Sequence, residues 1–90
     1  MPRPKKPRHC GCNMQGQAFK PSGTPLSRLE HISLEQDELE ALKLGDYDGL
    51  TQEEAGQKMG VSRGTVQRLL NSARKKVARA LFARAALILK

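Results

Sequence analysis

Arg63, Gln67 and Arg68 are of the residue types that can read base edges in duplex DNA. An arginine lays two N–H groups on O6 and N7 of guanine, and a glutamine pairs in the same way with N6 and N7 of adenine. Ser62, Thr65 and Asn71 add shorter hydrogen-bonding groups to the same stretch. Arg74, Lys75 and Lys76 follow with charge suited to phosphate oxygens rather than bases. Upstream, Thr51 and Gln52 can offer side chains or backbone N–H groups to the same phosphates. This chemistry needs a rod that carries successive side chains into the major groove, held by a second rod that crosses it.

The segment LTQEEAGQKMGVSRGTVQRLL, residues 50–70, predicts those two rods. Thr51 is placed to cap a first helix, with Glu54 returning the bond three residues on, and Ser62 is placed to cap a second. Gly60 supplies the turn between them. Leu50, Ala55, Met59, Val61, Val66, Leu69 and Leu70 fall on the faces that meet when the helices cross, and Gly56 omits a side chain at the closest approach. The pattern is that of a helix-turn-helix.

No proline follows Ser62, so the second helix is expected to run over residues 63–90, roughly 40 Å at 1.5 Å per residue. Val66, Leu70, Ala73, Val77, Ala80 and Leu87 recur at helical steps, and Leu69, Leu81 and Ile88 widen the stripe. The excess length must pack back on the first helix or on a second copy, which makes a homodimer one expected arrangement.

Before the motif, Ser33 reads as the cap of an acidic helix, with Gln36 returning the bond and Glu35, Asp37 and Glu38 at the positive end of its dipole. Leu39, Leu42 and Leu44 form its apolar stripe. Its acids Glu35, Asp37, Glu38, Glu40 and Asp46 would repel phosphates, which puts the helix on the far side of the body from DNA. GDYDG closes it, with Tyr47 expected half-buried beside the motif. Residues 1–28 begin MPRPKKPR and are rich in Pro and Gly, which predicts a flexible basic arm, with Phe19 and Leu26 pinning its end to the body. The expected fold is all-α: this arm over residues 1–28, then a helix-turn-helix domain over residues 29–90 with its motif at residues 50–71 and a long C-terminal helix.

Net charge is +7, and all nine acids lie between residues 30 and 54, so two basic ends flank an acidic middle. Such segregation favours a polyanionic partner, because each neutralised phosphate releases counterions. No apolar run is long enough to span a bilayer and no signal-peptide core opens the chain, which predicts a cytoplasmic protein without a membrane partner. His9, Cys10 and Cys12 form HCGC, three soft ligands where a closed zinc site wants four, with only His31 in reserve. They read as reduced cysteines, and no metal or cofactor is assigned; a metal- or redox-responsive arm is the alternative. Neither a nucleophile with its base nor a phosphate-binding glycine loop is present, so no enzyme is expected.

MPRPKKPR, FKPSGTPL and LEQDELEALKLGDYDGLTQEEAGQKMGVSRGTVQRLLNSARKKVARAL together resemble the DUF134, or UPF0251, family of small prokaryotic proteins. Ser62, Arg63, Gly64, Thr65 and Val66, followed by Ser72, Ala73, Arg74 and Lys75, are also similar to region 4 of sigma-70-type factors, which reads a promoter element through a helix-turn-helix. The resemblance implies a DNA-binding protein. The expected function is sequence-specific duplex binding by a transcriptional regulator, with docking on RNA polymerase or another regulator as the competing reading.

Overall fold

Residues 14–90 are described by a computed structural model, in which three helices and a three-stranded sheet are organised along one long helix. The HCGC motif and the basic residues of MPRPKKPR lie outside the described residues. β1 (Ala18–Phe19), a 3-10 turn (Leu26–Arg28) and β2 (His31–Leu34) lead into α1 (Gln36–Leu42). α2 (Gln52–Met59), α3 (Arg63–Phe82) and β3 (Ala86–Leu89) complete the order.

The all-α expectation therefore needs correction. α3 ends at Phe82, so its 20 residues span roughly 30 Å rather than 40. The chain then reverses: Ala83 N–H donates to Arg79 O, Arg84 adopts a left-handed φ of 52°, and Ala85 N–H closes onto Ala80 O at 2.9 Å. Beyond this reversal, β3 becomes the central strand of the sheet, in the order β1-β3-β2, antiparallel to β1 and parallel to β2. Ala86, Leu87 and Leu89 are buried in it. A central strand covered on both faces reads as an unbroken apolar run, and over so few residues its period does not distinguish it from a buried helical turn.

Residues 16–19, assigned to the arm by composition, join this sheet. Gly16 N–H donates to Leu89 O at 2.7 Å, Leu89 N–H donates to Gln17 O at 2.8 Å, and Phe19 sits opposite Leu87. Ser33 is likewise not a helix cap. It belongs to β2, where Ile32 and Leu34 point alternately into the core, and the cap falls to Glu35, whose N–H donates to Glu38 Oε1 at 2.8 Å. The strand's two-residue alternation outcompetes the local capping signal.

Past Leu42 the α1 turn widens to i→i+5 bonding over Lys43–Tyr47, and Asp48 N–H donates to Lys43 O at 2.8 Å. Gly45 lets this wide turn lie against α3, since a Cβ there would come 3.2 Å from Leu70 Cδ1. Tyr47, expected half-buried, is 83% exposed.

The helix-turn-helix forms as its sequence requires. Thr51 Oγ1 accepts from Glu54 N–H at 3.1 Å while Glu54 Oε1 accepts from Thr51 N–H at 2.9 Å. Gly60 takes a left-handed φ of 74° at the end of α2, a conformation that penalises any Cβ. Val61 N–H returns to Gly56 O at 2.9 Å, and a Cβ on Gly56 would stand 2.7 Å from Val61 O, so only glycine allows that closure.

Two hydrophobic clusters lie along α3. Val66 and Leu70 pack with Ala41, Leu44, Ala55 and Met59 around its first half. Ala73 and Ala80 pack with Ile32, Leu34, Ala85, Leu87 and Leu89 around its second, and Leu42 borders both clusters. The helix that carries the candidate site is thereby clamped at both ends.

Candidate nucleic-acid interface

The buried stripe of α3 fixes which side chains face outward. With Val66, Leu70, Ala73 and Ala80 turned inward, Arg63, Gln67, Arg68, Asn71 and Lys75 are all exposed on the other side. Ser62 Oγ accepts from Thr65 N–H at 3.2 Å, which starts the helix and sets the direction of its first turn. The Ser62 and Thr65 hydroxyls stand 3.0 Å apart, and Arg68 Nη2 donates to Thr65 Oγ1 at 3.3 Å. Thr65, half-buried, is thus a support for Arg68, while Arg63 and Gln67 extend without a described protein partner.

At the start of α2, Thr51 uses both its hydroxyl and its backbone N–H in the reciprocal cap with Glu54. The backbone N–H is thereby taken, while the hydroxyl, which only accepts in the cap, keeps its proton to donate to a phosphate. Gln52 is half-buried at the first helical position, where a backbone N–H has no partner within its own helix.

The cations further along α3 are divided differently from the expectation. Arg74 forms a two-pronged pair with Asp46, at 2.9 Å from Nε and 2.7 Å from Nη2. Lys76 Nζ donates to Glu38 Oε1 at 2.7 Å, and Arg79 Nη2 to Glu30 Oε2 at 2.5 Å. Among the described residues of this stretch, Lys75 keeps its ammonium exposed and outside any ion pair. Composition alone did not distinguish these cations. The partners Glu30, Glu38 and Asp46 lie 28 to 49 residues upstream, and only the packing of α1 and β2 against α3 brings them within reach.

Glu38 is the most committed of these acids, with its side chain 7% exposed. Besides Lys76 and the Glu35 N–H, it accepts a hydrogen bond from Ser72 Oγ. Burial pulls its carboxyl upward, but the donors from Lys76, Ser72 and Glu35 together hold it below its ordinary value. Asp46 is also held below the usual carboxylate range, first by the Arg74 hydrogen bonds, against a slight pull from burial, and it raises Arg74 in turn. Glu40 is buried as well, whereas Asp37 of the same helix is exposed.

His31, the reserve metal ligand, places Nε2 2.9 Å from Leu26 O, where the ring donates. Among the described residues no three His, Cys, Asp or Glu side chains gather to hold a metal. No helix of the described residues is long and apolar enough to cross a membrane. At the far end of α3, Leu81 and Phe82 are 68% and 85% exposed, and Phe19 is 53% exposed. Leu81, which periodicity assigned to the buried stripe, thus contributes to apolar surface instead.

The chain is 55% identical over 78 residues to a UPF0251 protein of Vibrio vulnificus (strain CMCP6), covering 87% of this chain and 78% of the relative. It is 52% identical over 89 residues to a UPF0251 protein of Shewanella pealeana, covering 99% and 93%. A UPF0251 protein of Desulforudis audaxviator is 49% identical over 81 residues, 90% of this chain and 53% of that longer relative. No solved structure gives a significant match. Residues 1–90 match the family described as Protein of unknown function DUF134, and the chain belongs to that family, also called UPF0251.

Proposed function

We propose that this protein binds duplex DNA in a sequence-specific manner, placing the first half of α3 in the major groove, and acts as a transcriptional regulator. The observation that carries this reading is the exposed face of α3, where Arg63, Gln67, Arg68 and Asn71 stand free of the core on a helix buried along its other side. Arg63 and Arg68 fit guanine, Gln67 and Asn71 fit adenine, and Lys75 fits a phosphate. The likeness of residues 62–66 and 72–75 to region 4 of sigma-70-type factors supports the same use of the motif. Arg74 and Lys76 contribute less than their charge suggests, since each already has a carboxylate partner.

Selection of bound sequences from a random duplex pool tests the proposal, followed by salt titration of the selected site. The expected log–log slope is about −0.9 per phosphate contact. Absence of any enriched sequence, or unshifted amide signals at Arg63, Gln67 and Arg68 when duplex is added, would overturn it.

Phe19 and Leu81, which are exposed and line one open apolar hollow with Val77, Ala80 and Leu87, favour a protein partner in addition, because contiguous apolar surface marks association sites. A second copy there would present two motifs to one site. A palindromic selected sequence and a dimeric solution mass are the expected results.

A further inference from the structure

Gly64 stands in the first turn of α3 with no reason in the fold to be glycine. Every other described glycine answers to the structure. Gly16, Gly23, Gly49 and Gly60 have positive φ, and a Cβ on Gly45 or Gly56 would press into Leu70 or Val61. Gly64 has helical geometry and open space: an added Cβ would meet only Ser62 Oγ, at 4.0 Å. A helix gains from alanine over glycine, so the fold on its own favours a side chain at this position.

Its place on the helix gives the missing constraint. Gly64, Arg68, Asn71 and Lys75 follow at i, i+4, i+7 and i+11, one exposed line opposite the buried Val66, Leu70 and Ala73. Arg68, the next member of that line, is braced by Thr65. The line is furnished with long hydrogen-bonding side chains everywhere except at Gly64, where the bare backbone is the outermost surface.

We propose that Gly64 is the point of closest approach between α3 and the duplex, where a base-pair edge on the groove floor comes against the helix backbone. A missing Cβ allows this contact and seats Arg68 and Asn71 at hydrogen-bonding depth. The inference rests on the duplex-binding reading and adds to it a positioning residue that contributes no side chain.

The test uses the full chain and the duplex that the wild type selects from a random pool. Gly64→Ala is expected to melt at the same temperature as wild type or higher, and to bind that duplex at least ~10-fold more weakly, as a helix lifted off its site by one methyl would. Gly64→Gln is expected to bind more weakly still. The salt slope of both variants is expected to stay at the wild-type value, because no phosphate contact is removed. Wild-type affinity in Gly64→Ala, or a lowered melting temperature, would overturn the inference while leaving duplex binding by the wild type intact. Failure of the wild type itself to bind any duplex would overturn both.

Discussion

Both halves of α3 carry basic side chains, in opposite circumstances. In the first half, Arg63, Gln67 and Arg68 point to solvent, and the acids of α2 stay at its own N-terminal cap. In the second half, Arg74, Lys76 and Arg79 each meet a carboxylate delivered by the wide turn after α1, by α1 itself or by the loop before β2. A basic helix is thus divided in two: one end leaves its donors exposed and without a carboxylate, and the other uses Arg74, Lys76 and Arg79 to fasten the sheet and α1. Positive charge in a sequence indicates a polyanion only where the fold leaves it unneutralised.

Breaking the second half should unfold the molecule without altering what it reads. Leu34→Ala, at a side chain 1% exposed in the sheet-side cluster, is expected to cost about 2 to 5 kcal/mol in chemical denaturation. The base preference of the surviving folded fraction should be unchanged.

Breaking the first half should do the reverse. Arg63→Ala and Arg68→Ala are each expected to cost about 1 to 3 kcal/mol of binding on the selected duplex and to relax base preference at one position, with the denaturation midpoint unmoved. Arg79→Ala, by contrast, should leave the base preference as it was. Equal losses for Arg68→Ala and Arg79→Ala would erase the distinction between the two halves.

Acid should loosen the second half selectively. Glu38 is held below its ordinary value of 4.5 in the folded state, so its contribution to stability is fully present above that value and is lost as pH falls through the lower folded value. Denaturation midpoints measured downward from pH 6 should therefore fall. Glu38→Gln should flatten that decline and remove about 1 to 3 kcal/mol near neutrality, because Lys76 loses its carboxylate.

The smallest effect sharpens the boundary between the halves. Asp46→Asn releases Arg74, whose pair is solvent-exposed and so adds little to the fold. Its charge then becomes available to phosphate, and the log–log salt slope should steepen by about 0.9. An unchanged slope would show that Arg74 lies outside the reach of the duplex.

Local signals made the motif readable. Thr51, Glu54, Gly56, Gly60 and Ser62 act on neighbours a few residues away, and each takes the part its position predicts. The sheet was not readable for the same reason. Ala86 to Leu89 have meaning only beside β1 and β2, and the left-handed turn at Arg84 occurs at a residue type that gives no warning of it. The exposed donors of the candidate site were legible as a set, whereas Thr65 as a brace and Asp46, Glu38 and Glu30 as neutralising partners depend on contacts across the fold.

The position of β3 governs the order of assembly. As the central strand, it is the one element to which both β1 and β2 bond, yet it is synthesised after everything it joins. Until residues 86–89 leave the ribosome, the two earlier strands have no edge to pair with, while α2 and the start of α3 need only neighbours already made. Amides of α2 and the start of α3 should therefore gain protection before those of Ile32 and Leu34 in pulse-labelled hydrogen exchange, so the face that carries Arg63, Gln67 and Arg68 matures ahead of the sheet that anchors it.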